Sequence, residues 1–138
     1  MSLLTSLTAA CGLFASLAAV AMILPNHSEA ADATSPAKVL RHVVLFKFKE
    51  GTSPEEVQKV ITAFGELPKK IDVIQDFEWG TDVSVENKQQ GFTHCFFVTF
   101  RDEKGRDTYL PHPAHKEFGT IVRPHLDKVL VVDYWSRK

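Results

Sequence analysis

The stretch Thr108–Gly119, TYLPHPAHKEFG, brings a phenol and two imidazoles, Tyr109, His112 and His115, close together in the chain. Imidazole ordinarily titrates near neutrality, while a phenol keeps its proton there. The pair can take a proton from carbon and give one to oxygen. Pro111 and Pro113 fix their own φ angles, and each disfavours helix at the residue before it. The corner is therefore stiff, and stiffness holds a proton donor in place. The competing reading is a helix boundary that happens to carry histidines. His112 then contacts backbone or solvent. A metal site is disfavoured, because the two histidines do not form a helical i, i+4 pair and no third ligand is evident. No cofactor is expected either. The chain has no Gly-rich phosphate loop, no serine-nucleophile motif and no dinucleotide fingerprint.

Such a corner needs elements to face. Leu40–Phe48 (LRHVVLFKF) alternates as a strand, with His42, Val44, Phe46 and Phe48 on one side. Ser53, Pro54 and Glu56 form a capping-box start to a helix. Its apolar stripe is Val57, Val60, Ile61, Phe64 and Leu67, and Pro68 ends it. Val73–Asp82 reads as a second strand, interrupted near Gly80. Phe92–Phe100 (FTHCFFVTF) is a third, rich in aromatic and β-branched residues. Asp102–Leu110 and Ala114–Val122 are short helices on either side of the corner. Val129–Trp135 is the last strand.

The order β-α-β-β-α-β predicts an α+β, ferredoxin-like subunit: a four-stranded antiparallel sheet with helices on one face. Antiparallel pairing of the first and last strands brings Asp133 beside His42, where a carboxylate would fix the imidazole tautomer and raise its basicity. On its own, His42 reads equally as a core histidine bonded to backbone. The opposite sheet face carries Val43, Leu45, Cys95, Phe97, Leu130 and Val132, too apolar to stay wet. Pairing with a second copy through this face, as a dimeric α/β barrel, is the economical solution. His94 reads as a structural hydrogen-bonder, His125 as a loop residue, and Trp79-Gly80 as packing followed by a turn.

The chain has 138 residues with a formal net charge of -1. That balance argues against nucleic acid as a partner. Residues 1–30 read as a signal peptide: Leu3–Leu24 is apolar, Asp, Glu, Lys and Arg are absent from Met1 to Ser28, and small-x-small sites follow. A retained membrane anchor is the alternative, since the apolar run is long enough to span a bilayer. Residues 31–39 are a linker and 40–138 one domain. Export, to the periplasm or the medium, is the expectation, with contact to a membrane only if the leader is kept. Cys95 is then the one remaining cysteine, so an intrachain disulfide is not expected.

RHVVLFKF, WGTDVS, GFTHCFFVTF, TYLPHPAHKEFG and VVDY together resemble the stress-responsive dimeric α/β-barrel (Dabb) family, from about Leu40 to Trp135. The resemblance implies a ferredoxin-like subunit that pairs into a barrel. It also implies functional positions, carried over from a plant polyketide cyclase of the family that works by intramolecular aldol condensation. The catalytic histidine and tyrosine fall on His115 and Tyr109, the first-strand histidine on His42, and the last-strand aspartate on Asp133. Pocket positions fall on Val44, Phe46, Val60, Ile61, Phe64, Phe77, Phe96, Phe118, Gly119, Ile121, Val129 and Val131. Phe77 and Phe96 are larger than their counterparts and are expected to shorten or block the tunnel for an alkyl tail. The family also contains members that look like cation binders through backbone carbonyls after the first helix.

Two functions follow. One is a cofactor-independent cyclase or isomerase acting on an enolisable carbonyl compound, with Tyr109 and His115 handling the proton while His42 and Asp133 orient or polarise. The other is a non-catalytic stress-responsive dimer, either holding a small apolar ligand or purely structural. An open cavity reaching Tyr109 and His115 would favour the enzyme or the ligand-holding dimer, and a space filled by Phe77, Phe96 and Phe118 the purely structural one.

Overall fold

The computed structural model describes residues 38–137. The expected signal peptide and all but the end of the linker lie outside the described residues, as does the alternative membrane anchor. Among the described residues no helix is long and apolar enough to cross a membrane.

Strand β1, Leu40–Phe48, is followed by helix α1, Pro54–Gly65, and the short α2, Leu67–Lys70. Strands β2, Ile74–Thr81, and β3, His94–Phe100, come next. Helices α3, Glu103–Tyr109, and α4, Pro113–Val122, flank the proline corner, and β4, Leu126–Trp135, closes the chain. The sheet order is β2-β3-β1-β4, with every pairing antiparallel. This is the ferredoxin-like arrangement, with the helices on one face.

Local chemistry accounts for the boundaries. The Ser53 hydroxyl accepts from the Glu56 amide while the Glu56 carboxylate accepts from the Ser53 amide, closing both orphan donors at the start of α1. Pro68 does not end that helix. α1 stops at Gly65, and Pro68 sits in the first turn of α2, where its missing N–H costs nothing. Nor does Gly80 interrupt β2. It pairs with Cys95 inside the ladder, and the irregularity falls instead between Ile74 and Asp76. β3 begins two residues later than expected, because Gln90 and Gly91 turn at positive φ and the Phe92 amide donates back to Gln89. β4 begins three residues earlier, after a 3-10 turn at Arg123–His125. Gly105 lets α3 lie close to β3: a Cβ there would meet the Phe100 Cβ at 3.4 Å.

The core lies between helices and sheet, and one side of it is aromatic. Phe64 stands 4.5 Å from Phe118, 4.7 Å from Phe96 and 5.1 Å from Phe77, ring centre to ring centre. Phe46 lies 5.0 Å from Phe96. Phe64 is 1% exposed, so Phe64→Ala removes the hub of this cluster, and denaturant unfolding should show a loss of about 3–5 kcal/mol. A loss under ~1 kcal/mol would mean the cluster is not what holds the helices down.

Candidate active site

The register of β1 with β4 places His42 directly opposite Asp133, Val44 opposite Val131 and Phe46 opposite Val129. All six face the helices. His42 is buried, and its Nδ1–H donates to Asp133 Oδ1 at 2.6 Å. The second carboxylate oxygen accepts from Arg106 Nη1 at 3.2 Å. Asp133 is thus held from both sides, and the His42 tautomer leaves Nε2 as the ring's open position.

The corner does what its prolines require. His112 caps α4 by accepting from the Ala114 amide at 3.2 Å, so its role is backbone capping. His115, in the first turn of α4, donates from Nδ1 to the Leu110 carbonyl at 2.9 Å. A carbonyl can only accept, so Nε2 of His115 is also left open. Tyr109 is 1% exposed at the end of α3. Its ring centre lies 4.3 Å from His115 and 5.7 Å from His42. The Tyr109 hydroxyl has no hydrogen-bond partner among the described residues.

These three rings line one end of a cavity of about 420 Å³. Asp133, Val131, Val129, Val44, Phe46, Phe64, Phe118 and Gly119 form much of the remaining wall. Val129 and Val131 are about half exposed, so the hollow opens to solvent along β4. Five positions carried over from the resemblance do not line it. Val60 and Ile61 are packed in the core, Ile121 lies beside that core, and Phe77 and Phe96 belong to the aromatic cluster around Phe64. In their place Leu110, Val122, Arg123 and Leu126 complete the lining. Val122 was legible at α4's apolar spacing. Arg106 and Arg123 carried no sequence signal beyond their charge.

Burial shapes the proton chemistry. It pushes the Tyr109 phenol well above its ordinary range, so the hydroxyl stays a donor. Burial also lowers His115, partly opposed by its bond to the Leu110 carbonyl and reinforced by the nearby His42 and His112. The folded ring therefore favours the neutral form. Among the described residues no group of three or more His, Cys, Asp or Glu side chains is placed to hold a metal ion.

The profile of the stress responsive A/B barrel domain matches residues 40–136. The chain belongs to that family. It is 46% identical over 95 residues to the stress-response A/B barrel domain-containing protein HS1 of Arabidopsis thaliana, covering 69% of this chain and 87% of that one. To the olivetolic acid cyclase of Cannabis sativa it is 33% identical over 99 residues, covering 72% and 98%. Its fold superposes on the hydroxynitrile lyase of Passiflora edulis with a TM-score of 0.70 at 27% identity, covering 75% and 97%. A protein of unknown function from Bacteroides fragilis, described as dimeric with a ferredoxin-like fold, matches with a TM-score of 0.57 at 28% identity, covering 70% and 94%.

The depressed His115 value has a sign that can be checked. Above about pH 6.5 the ring is neutral in both folded and unfolded chains and contributes nothing. Below it the unfolded chain binds a proton that the folded ring resists, so stability falls as pH drops toward the folded value. An NMR titration should give His115 a midpoint below about 6.5, and His115→Ala should shallow the loss of stability on the acid side. A midpoint at or above that value would contradict the burial argument.

Proposed function

We propose that this chain is a cofactor-free acid/base catalyst acting on an enolisable carbonyl compound, as a cyclase, lyase or isomerase, and that it works as a homodimer. The observation that carries this is a phenol and a neutral imidazole, ring centres 4.3 Å apart, at the end of one apolar cavity. Tyr109 Oη–H donates to the substrate carbonyl oxygen. His115 Nε2 takes a proton from the adjacent carbon, and the C–H electron pair moves into the enol. His42, held by Asp133, orients or polarises the same oxygen. The enol carbon can then take a proton back, which is isomerisation, or attack a second carbonyl carbon, which is aldol cyclisation. The family's named cyclase, and a structural neighbour named as a lyase, support a reaction of this type without assigning the substrate.

The second reading is a binding module. The filled end around Phe64, Phe77 and Phe96 favours it to one extent: the cavity takes a short ligand, not a long alkyl tail. The apolar segment Leu3–Leu24 supports work outside the cytoplasm in either case.

The dimer is supported by the open sheet face. Leu130, Val132 and Tyr134 are each more than 40% exposed there, continuous with Val43, Leu45 and Phe97. Leu130→Lys should shift the protein from dimer to monomer in sedimentation; an unchanged dimer rules this face out.

Exchange of α-protons for deuterium in a simple methyl ketone, followed by NMR, tests the catalysis. His115→Ala and Tyr109→Phe should each slow exchange by roughly 10²–10⁴-fold while the thermal transition is kept. Unchanged rates in both would end the enzyme reading, and ligand binding without any exchange would favour the binding module.

A further inference from the structure

The cavity has a second polar end that the proton chemistry does not use. His115, Phe118, Gly119, Val122 and Arg123 lie on one face of α4 and its C-terminal cap, and all of them line the hollow. Arg123 is solvent-exposed, and its guanidinium folds back along the helix: Nη2 would stand 3.6 Å from a Cβ built on Gly119. The guanidinium thus lies within van der Waals reach of the cavity wall at Gly119. Arg123 forms no ion pair among the described residues.

Two acids on elements packed near this end are already engaged. Glu56 is taken by the α1 cap and lies 4.0 Å from His125, while Asp127 pairs with Lys47 at 2.8 Å. Lys49 adds positive charge beside Arg123, its Nζ donating to the Pro124 carbonyl at 2.6 Å. An apolar hollow with proton-handling rings at one end and an unpaired guanidinium at the other is complementary to a bipolar molecule. Helix rise puts Gly119 about 6 Å and Arg123 about 12 Å beyond His115 along the axis. A guanidinium is the side chain best shaped to take a carboxylate in two parallel hydrogen bonds.

We infer that the substrate class of this pocket is a keto acid: a carbonyl compound whose carboxylate, several bonds from the carbonyl, is held by Arg123. This rests on the reading that the Tyr109–His115 end takes the carbonyl. Val44, Phe46, Phe118 and Val131 cover the apolar chain between the two groups. The aromatic plug stops the ligand from running deeper, so its charged end is directed to the open mouth, where a carboxylate keeps part of its hydration.

The probe is 7-oxooctanoate against its methyl ester, with about six bonds between carbonyl and carboxyl carbon, offered to the full-length chain. Dissociation constants come from calorimetry and α-proton exchange from NMR in deuterium oxide. The acid should bind about tenfold more tightly than the ester, a modest factor because Arg123 is exposed. Arg123→Gln should erase that preference while leaving ester affinity and the thermal transition unchanged, and Arg123→Lys should keep part of it. Equal affinities for acid and ester, or a preference that survives Arg123→Gln, overturn the inference and leave the acid/base reading intact if exchange still depends on His115. An Arg123-dependent preference without exchange confirms the anion site and removes the catalytic reading. Failure of both probes to bind overturns both.

Discussion

Antiparallel pairing of β1 with β4 sets Asp133 against His42, and the rest of the site hangs from that ladder. A slip of one residue would turn every side chain of β4 to the other face. Asp133 would then join the apolar face opposite the helices, and His42 would lose its carboxylate. The register is protected because both faces of the pair carry apolar residues in alternation: Val129 and Val131 toward the cavity, Leu130 and Val132 away from it. The irregularity at Lys47 and Phe48 falls at the far end of the ladder from His42, so it lets the chain enter β4 from the 3-10 turn without disturbing the pair. Arg106, on α3, ties the same carboxylate to the helical layer. One aspartate thereby links sheet, helix and the His42 imidazole.

The space between helices and sheet is divided rather than uniform. Toward β2 and β3 it is filled by Phe64, Phe77 and Phe96, whose stacked and tilted contacts fix how α1 and α4 sit on the sheet. Toward β4 it is hollow. The cluster also supplies rigidity where α4 needs it: Phe118 is held by Phe64, and His115 lies one turn earlier on the same helix.

Much of this was legible in the residues. Alternation and capping chemistry mark out the element order, and the βαββαβ order with antiparallel pairing is enough to bring His42 to Asp133. Tyr109 and His115 were marked by the stiffness of Pro111 and Pro113. What could not be read was which bulky side chains fill space and which border it. Phe46 and Phe96 share a strand pattern, a face and a chemistry, yet one lines the cavity and the other plugs it, because that choice depends on the angle at which α4 crosses the sheet. Pro68 and Gly80 misled for a related reason. Each is a breaker by local propensity, and each is tolerated where tertiary context removes the cost, Pro68 in a first helical turn and Gly80 in a ladder whose hydrogen bonds it can still make.

The same desolvation drives Tyr109 and His115 in opposite chemical directions. Burial disfavours phenolate and imidazolium alike, so Tyr109 keeps its proton and His115 gives its proton up. An apolar pocket alone therefore keeps a proton donor and a neutral imidazole side by side. Among the described residues no fully buried side-chain polar atom lacks a partner, so the Tyr109 hydroxyl is open to the hollow rather than sealed from water. The open β4 side lets a molecule reach that hydroxyl without unpacking the aromatic plug.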